Sequence, residues 1–505
     1  MSTVAAIDVG SNAMRLAIAS ITYNNQLNVI QTSREPVRLG QDVFDGGKIS
    51  DKLLALAIDA FLRFRKQISR NNAMITRAVA TSALREATNQ TYFVNEIAKS
   101  TEIEIEVISA EEEARLIHLA VSNRLKLKDR VAVLLDIGGG SVTISLSKDR
   151  RIIASRSFPL GTVRLLNILE QKRGNEIVLN QLVDRYVANA YKTWKKEVGS
   201  QDIDVCIGTG GNLESLSELS AEGRSTGIEG RLTLDELDDI QDKLQELTYE
   251  ERIEKLGLRP DRADVIIPAT IVLKSILHHV RPKTIMIPHV GLKEGILLGL
   301  IPRISGEKER ISWEQVISSS KQLAKKYDYD EQHSLTVAQF ALQIFDSTKK
   351  LHNLNSDERV ILESAAILHD IGQYVRITDY SKHSCYLINA SPLIGLNVVQ
   401  KSIVSNIVRY HVDSYPTTKH KLFQNLPPKY RLVVSKLAAI LRLADALDEE
   451  HTRHVKKLHI IHRKSDLLIG LEGKGGLLLE KWALSQRSDL FESVFDTRVV
   501  VLNGN

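Results

Sequence analysis

The 505-residue sequence predicts a multidomain α/β protein: two duplicated α/β domains over 1–124 and 125–303, an all-α domain over 310–450, and a small α+β cap over 451–505. Three observations predict it. The chain is too long for one hydrophobic core. An apolar strand that ends in Asp and a tight Gly turn occurs twice, at Asp8 and at Asp136, with the same order of elements behind it. Beyond residue 303 the apolar spacing turns helical, until alternating segments return near the C-terminus.

Composition narrows the class. Hydrophobic residues at 43% and charged residues at 26% suit a globular protein in water. No apolar run is long enough to span a bilayer, and MSTVAAIDVG lacks the basic start of a secretory signal. Two cysteines, Cys206 and Cys385, exclude a disulfide scaffold and make a reducing cytoplasm the expected compartment. A net charge of +5 suits a polyanionic ligand without requiring one. The run 451–464 holds five Lys/Arg, four His and no acid. It reads equally as a steering patch for phosphate polymer or nucleic acid and as a solvated strand and turn.

In the first copy, 4–11 reads as a buried strand closing on Asp8-Val9-Gly10-Ser11, with return strands at 14–18 and 26–34. In the second, 133–141 closes on Asp136-Ile137-Gly138-Gly139-Gly140-Ser141, followed by 144–146 and 151–158. A helix over 50–69 follows from the spacing of Leu53, Leu54, Leu56, Ala57, Ala60, Phe61 and Phe64. Strand 75–80 runs into Ala80-Thr81-Ser82-Ala83 and a helix, as strand 203–207 runs into Gly208-Thr209-Gly210-Gly211-Asn212 and a helix. Finally 103–108 leads to Glu111-Glu112-Glu113 and a helix, and 284–287 leads to Gly291-Leu292-Lys293-Glu294 and a helix. Each copy reads β-β-β-α-β-α-β-α.

Two Asp-Gly turns facing each other across a cleft would offer backbone N–H groups as anion nests, with Ser11, Asn12 and Ser141 adding donors. Asp8 and Asp136 would stand where a divalent ion bridges protein and phosphate oxygens. One such turn merely connects strands; a matched pair points to a phosphate clamp.

The duplicated pattern resembles the actin and sugar-kinase superfamily, in which two ribonuclease-H-like domains clamp a phosphorylated ligand. Within it, Ala6-Ile7-Asp8-Val9-Gly10-Ser11-Asn12, Ala80-Thr81-Ser82-Ala83-Leu84-Arg85-Glu86-Ala87, Glu112-Glu113-Ala114-Arg115-Leu116-Ile117, Asp136 to Ser141, Phe158-Pro159-Leu160-Gly161 and Gly291-Leu292-Lys293-Glu294-Gly295 resemble the exopolyphosphatase/guanosine pentaphosphate phosphatase family. The resemblance implies that Glu113 is the base activating the attacking water and that Asp8 and Asp136 organise metal or water. It makes Gly10, Ser11, Asn12, Gly138, Gly139, Gly140 and Ser141 the phosphate loops, with Thr81 and Arg85 approaching the substrate from the first copy. Without it, Glu111 to Glu113 read first as acids complementing a helix dipole, Arg85 equally as a surface helix residue, and Arg15 as a tie from the first hairpin to its neighbours. It also implies Mg²⁺ or another divalent cation, inorganic polyphosphate or guanosine pentaphosphate as substrate, and a homodimer. Thr143 departs from the family, which commonly has Glu there; a neutral hydroxyl is a poor substitute for a carboxylate ligand. Ala13 stands where serine is frequent.

After a charged linker at 306–310, His333, His369-Asp370 and Asp445 follow in the order of the HD phosphohydrolase skeleton. That resemblance implies an HD-like helical domain with these four as metal ligands, and His383 and His411 serving a second ion. A role in substrate binding, dimerisation or regulation is the alternative. Beyond 450, 458–462 and 467–472 read as a hairpin, with a helix around 490–495 and a strand at 498–502. Gly473-Lys474-Gly475-Gly476 reads as a turn first and a phosphate nest second. The leading expectation is an exopolyphosphatase. The alternatives are a guanosine pentaphosphate 5′-phosphohydrolase with a nucleoside pocket near Gly208 to Asn212, a regulatory protein binding a phosphorylated alarmone without turnover, and a kinase-like ATPase.

Overall fold

The computed structural model describes residues 2–22, 26–171, 176–199, 201–220, 230–305, 310–412, 414–463, 465–473 and 477–502. Most of the charged linker, Lys464 of the basic run and residues 474–476 of the Gly-rich turn lie outside the described residues. The chain divides into two units, Met1–Glu309 and Arg310–Asn505.

In the first unit, strand β1 (Ser2–Val9) is buried along its last six residues, as its unbroken apolar run requires of a strand covered on both faces. It pairs antiparallel with β2 (Met14–Ile21), and β2 with β3 (Leu27–Glu35). On its other side β1 pairs in parallel with β4 (Ile75–Ala80), and β4 with β5 (Ile105–Val107). The order is β3-β2-β1-β4-β5. The second copy supplies β6 (Val131–Ile137), β7 (Val142–Lys148), β8 (Arg151–Phe158), β9 (Val205–Thr209), β10 (Gly230–Leu232) and β11 (Ile285–Ile287) in the order β10-β11-β9-β6-β7-β8. Read from β8 inward, this is the first sheet again, the actin-like duplication that the repeated motifs predict. The three-residue β10, antiparallel on the β11 edge, is the addition.

The predicted first helix forms as Asp51–Arg70, capped by Ser50 and burying Leu54, Ala57, Ala60, Phe61 and Phe64. A short helix at Leu39–Gly46 is not anticipated by spacing; it buries Leu39 and Val43 and has no side-chain cap at its start. Each copy ends in a helix, Ala110–Arg124 and Leu292–Ser305. Leu116, Ile117 and Val121 of one share a core with Ile296, Leu297 and Leu300 of the other, with Val4 and Ala6 of β1, and with Leu134 of β6. Gly295 permits this approach, because a Cβ there would run into the Leu116 backbone. No described helix is long and apolar enough to cross a membrane.

The second unit carries long helices at Arg310–Lys326, Glu331–Ser347, Ser356–Leu368, Tyr380–Ala390, Val398–Arg409 and Pro428–Ala446. A sheet of β12 (Val455–Arg463), β13 (Asp466–Gly473) and β14 (Arg498–Leu502) follows, with helices Leu478–Arg487 and Asp489–Phe495 between its last two strands. Val455, Leu467, Ile469 and Phe491 belong to the same buried cluster as Ile344, Leu362, Leu437 and Leu441, so residues 451–505 share a core with the helices.

Candidate active site

Strands β1 and β6 end in the same turn. The Gly10 N–H donates to the Ala13 carbonyl at 3.1 Å, and the Gly138 N–H to the Ser141 carbonyl at 3.0 Å. The two turns abut. A Cβ on Gly139 would stand 3.2 Å from Ser11 Cβ, and one on Gly140 would run into Ser82 and Phe44. Bare backbone is therefore what lets the loops close on each other.

Between them lies a cleft of about 350 Å³ lined by Asp8, Gly10, Ser11, Asn12, Thr81, Glu113, Asp136, Gly138, Gly139 and Ser141. Gly140 and Arg85 do not line it. The Gly140 carbonyl accepts from Arg164 Nε at 3.2 Å, behind the loop. Arg85 donates to the Ile108 carbonyl at 2.8 Å and holds Glu113 at 3.4 Å, so it faces the carboxylate, not the open cleft.

The three acids at the start of the Ala110–Arg124 helix separate by partner. Ser109 caps the helix by accepting from the Glu112 N–H at 3.3 Å. Glu112 is taken by Arg115 at 2.7 Å and Arg77 at 3.2 Å. Glu113 lines the cleft. Burial pushes its carboxyl up to about 7, with the Asp136 and Asp8 charges adding and Arg85 opposing. Burial raises Asp136 as well, with Asp8 adding and the Thr209 hydroxyl, donating at 2.7 Å, opposing.

The two copies differ beside their aspartates. Arg15 is the register partner of Asp8 and donates to it at 3.0 Å; burial works against this guanidinium, but Asp8 more than compensates and its pKa is raised. Arg15 thus ties the hairpin and lines the cleft as well. Thr143 is the register partner of Asp136, but its hydroxyl donates to Ser157 at 3.2 Å. The cleft therefore offers four carboxylates, Asp8, Glu113, Asp136 and Glu214, which suit a hard divalent cation held partly by phosphate oxygens.

Lys293 of the Gly291–Gly295 block and three arginines that the motifs do not single out, Arg34, Arg259 and Arg262, form a cationic wall of the cleft. Arg262 donates to Asn212, yet its Nε and Nη2 have no partner among the described residues, and burial pushes its guanidinium down to about 10. Asp261 bridges the copies, accepting from Arg34 and, through its carbonyl, from Asn12 at 3.0 Å. Arg38 reaches Asp264 at 2.6 Å beside it.

The second unit gathers His333, His369, Asp370, His411 and Asp445, all buried. His369 Nδ1 faces the Ala366 carbonyl at 2.7 Å, His411 Nδ1 the Val408 carbonyl at 2.5 Å, and His333 Nδ1 the Asp448 carboxylate at 2.9 Å. Each ring thereby turns its Nε2 inward. His333 Nε2 and His369 Nε2 are 3.2 Å apart, and Asp445 Oδ1 is 3.2 Å from the latter. Asp370 Oδ1 and His411 Nε2 have no hydrogen-bond partner among the described residues. His383 joins no such group: Ser384, which accepts from the Gly372 N–H at 2.7 Å, sets the inward face of its helix and leaves His383 at the rim. His451 enters instead, stacked on His333 at 3.5 Å, with Nε2 3.8 Å from Asp370.

Residues 17–304 match the model of the Ppx/GppA phosphatase family, and residues 317–487 that of Ppx/GppA phosphatase domain III. Among solved structures, the chain is similar to an exopolyphosphatase from Cytophaga hutchinsonii at 23% identity, over 60% of this chain and 98% of that one, with a TM-score of 0.55. An Aquifex aeolicus member of the Ppx/GppA family matches at 25% identity over 60% and 98%, with a TM-score of 0.51.

Proposed function

Since the chain belongs to the Ppx/GppA phosphatase family and is thereby a phosphoanhydride hydrolase, we propose that residues 1–303 release the terminal phosphate of inorganic polyphosphate, with Glu113 as base. The observation that carries this reading is Glu113 itself: a carboxylate held at about 7, in one cleft with both Gly turns. A base poised near neutrality is ionised often enough to take a proton and basic enough to keep it.

The terminal phosphate accepts from the N–H groups of Ser11, Asn12, Gly139 and Ser141, since those of Gly10 and Gly138 close the turns themselves. Arg15, Arg262 and Lys293 hold the next phosphates of the chain. Glu113, kept in place by Arg85, orients a water in line with the scissile bond and takes its proton as the P–O bond forms. Asp8 and Asp136 would hold Mg²⁺ or another divalent cation, which when bound neutralises the phosphate oxygens. Gly210, Gly211 and Asn212 also line the cleft, which keeps guanosine pentaphosphate as the second substrate reading. Phosphate release with Mg²⁺ from each substrate, beside Glu113→Ala, tests both. Release that collapses in the variant supports the site and picks the substrate; release that persists removes Glu113 as base.

The residues of 310–450 support a second reading, an HD-like domain that holds a divalent cation. Its specific support is the orphaned pair Asp370 Oδ1 and His411 Nε2 inside a set of inward-facing imidazoles. Mixed nitrogen and carboxylate donors, with the outer ring nitrogens fixed by carbonyls, suit a transition ion such as Mn²⁺, Fe²⁺ or Zn²⁺. Metal content of protein purified without chelator, compared with His369→Ala, tests it.

A further inference from the structure

Strands β6, β9 and β11 run in parallel, and the cleft lies where they end, at Asp136, Gly210 and Gly291. A second cavity, of about 800 Å³, lies where they begin, at Arg130, Asp204 and Thr284. It is within the range of small-molecule sites.

One wall is aromatic. Tyr191 stacks on the exposed ring of His279 at 5.2 Å and 20°, and lies 5.7 Å from Trp194. Trp194 is only 2% exposed, yet its indole N–H has no acceptor among the described residues. A buried donor without a partner is rare enough to ask for a ligand atom. The rim is cationic. Lys195 and Arg281 close the C-terminal turns of their helices, where a cation complements the dipole. Arg130, Arg231 and Lys283 have no such role and no carboxylate partner among the described residues. Of the two lining carboxylates, Asp202 and Asp204, the second already accepts from the Val131 N–H at 2.7 Å.

From this juxtaposition we propose that the far end of the second sheet is a binding site for a purine nucleoside polyphosphate, distinct from the cleft. The base stacks on Tyr191 and His279 and accepts from the Trp194 indole. The phosphates lie toward Arg130, Arg231 and Lys283. A bare phosphate chain would use the rim and could accept from the indole, but it has no ring to lay on the aromatic wall. The inference does not depend on Glu113 or on turnover.

The test is fluorine NMR of the full chain labelled with 5-fluorotryptophan, without added metal. The chain has three tryptophans, and Trp194→Phe assigns the resonance. Titration with GTP is expected to move the Trp194 signal saturably, while guanosine and inorganic tripolyphosphate do so only at much higher concentration. Tyr191→Ala should weaken the GTP response about tenfold, the worth of one base–aromatic stack. Lys283→Glu, an exposed change that spares the fold, should weaken it as well. An unmoved Trp194 signal overturns the proposal. So does an equal midpoint with tripolyphosphate, which would make the cavity a plain anion site. A GTP response indifferent to both variants, or lost when tripolyphosphate fills the cleft, would overturn it too.

Discussion

Glu113 sits between two demands. Its helix start would hold any carboxylate, but the cleft buries it beside Asp136 and Asp8, and its pKa rises to about 7. As a base it works in the ionised form, so phosphate release should climb with pH through about 7 and level off above it, in a pH–rate profile at saturating polyphosphate. Glu113→Gln should lose roughly 10²- to 10⁴-fold in kcat. The same shift has a cost for the fold. A carboxyl whose folded pKa lies above its unfolded value favours the folded state when protonated, and that stability is lost as pH rises toward 7. In chelator at pH 8, Glu113→Gln should therefore be more resistant to denaturant than the native chain, by on the order of 3 kcal/mol at most. Arg85 opposes the rise, so Arg85→Gln should move the midpoint of the pH profile upward. A merely structural role for Arg85 would lower the rate without moving that midpoint.

At the scale of elements, Glu113 is placed by one helix, and that helix by another. Gly295 leaves no room for a side chain against the Leu116 backbone. Gly295→Ala should push the Ala110–Arg124 helix outward, cost about 1–3 kcal/mol, and lower kcat more than a surface change of equal stability cost. Circular dichroism melting beside phosphate release separates the two effects. The strands and turns that frame this arrangement were legible because buried parallel strands leave unbroken apolar runs, and Asp8-Val9-Gly10 and Asp136-Ile137-Gly138 mark their ends. The helix at Leu39–Gly46 and strand β10 were not: each is short, and the helix has no capping side chain to announce it. The arginines of the cationic wall were illegible for a different reason. Arg34 and Asp261 meet across 227 residues of sequence, and an isolated arginine carries no spacing to read. His451 was read as part of a basic run, because only the fold brings its ring onto His333.

At the scale of the whole molecule, the two units have separate cores, and each should report its own chemistry. On the proposed reading, His369→Ala is expected to abolish transition-ion binding and leave phosphate release near the native rate, since the cleft residues all lie in 1–309. His451→Ala should weaken ion binding, and His383→Ala should not, which distinguishes the group the fold brings together from the set read in the sequence. Without an ion, His333 supplies the missing charge. Burial works against its protonation, but Asp445 and Asp448 outweigh it and raise its pKa to about 10. Stability contributed by that proton is complete below the unfolded histidine range and is lost as pH rises through about 10. An ion takes the proton's place and should abolish this dependence, while adding about 2.7 kcal/mol at a hundredfold excess over its Kd. Calorimetric scans from pH 7 to 10, with Mn²⁺ and with chelator, would show it. The transition of residues 310–505 should fall with pH only in chelator, and that of residues 1–309 should not follow it. Two scans that fall alike would mean that the imidazoles hold a proton and no metal.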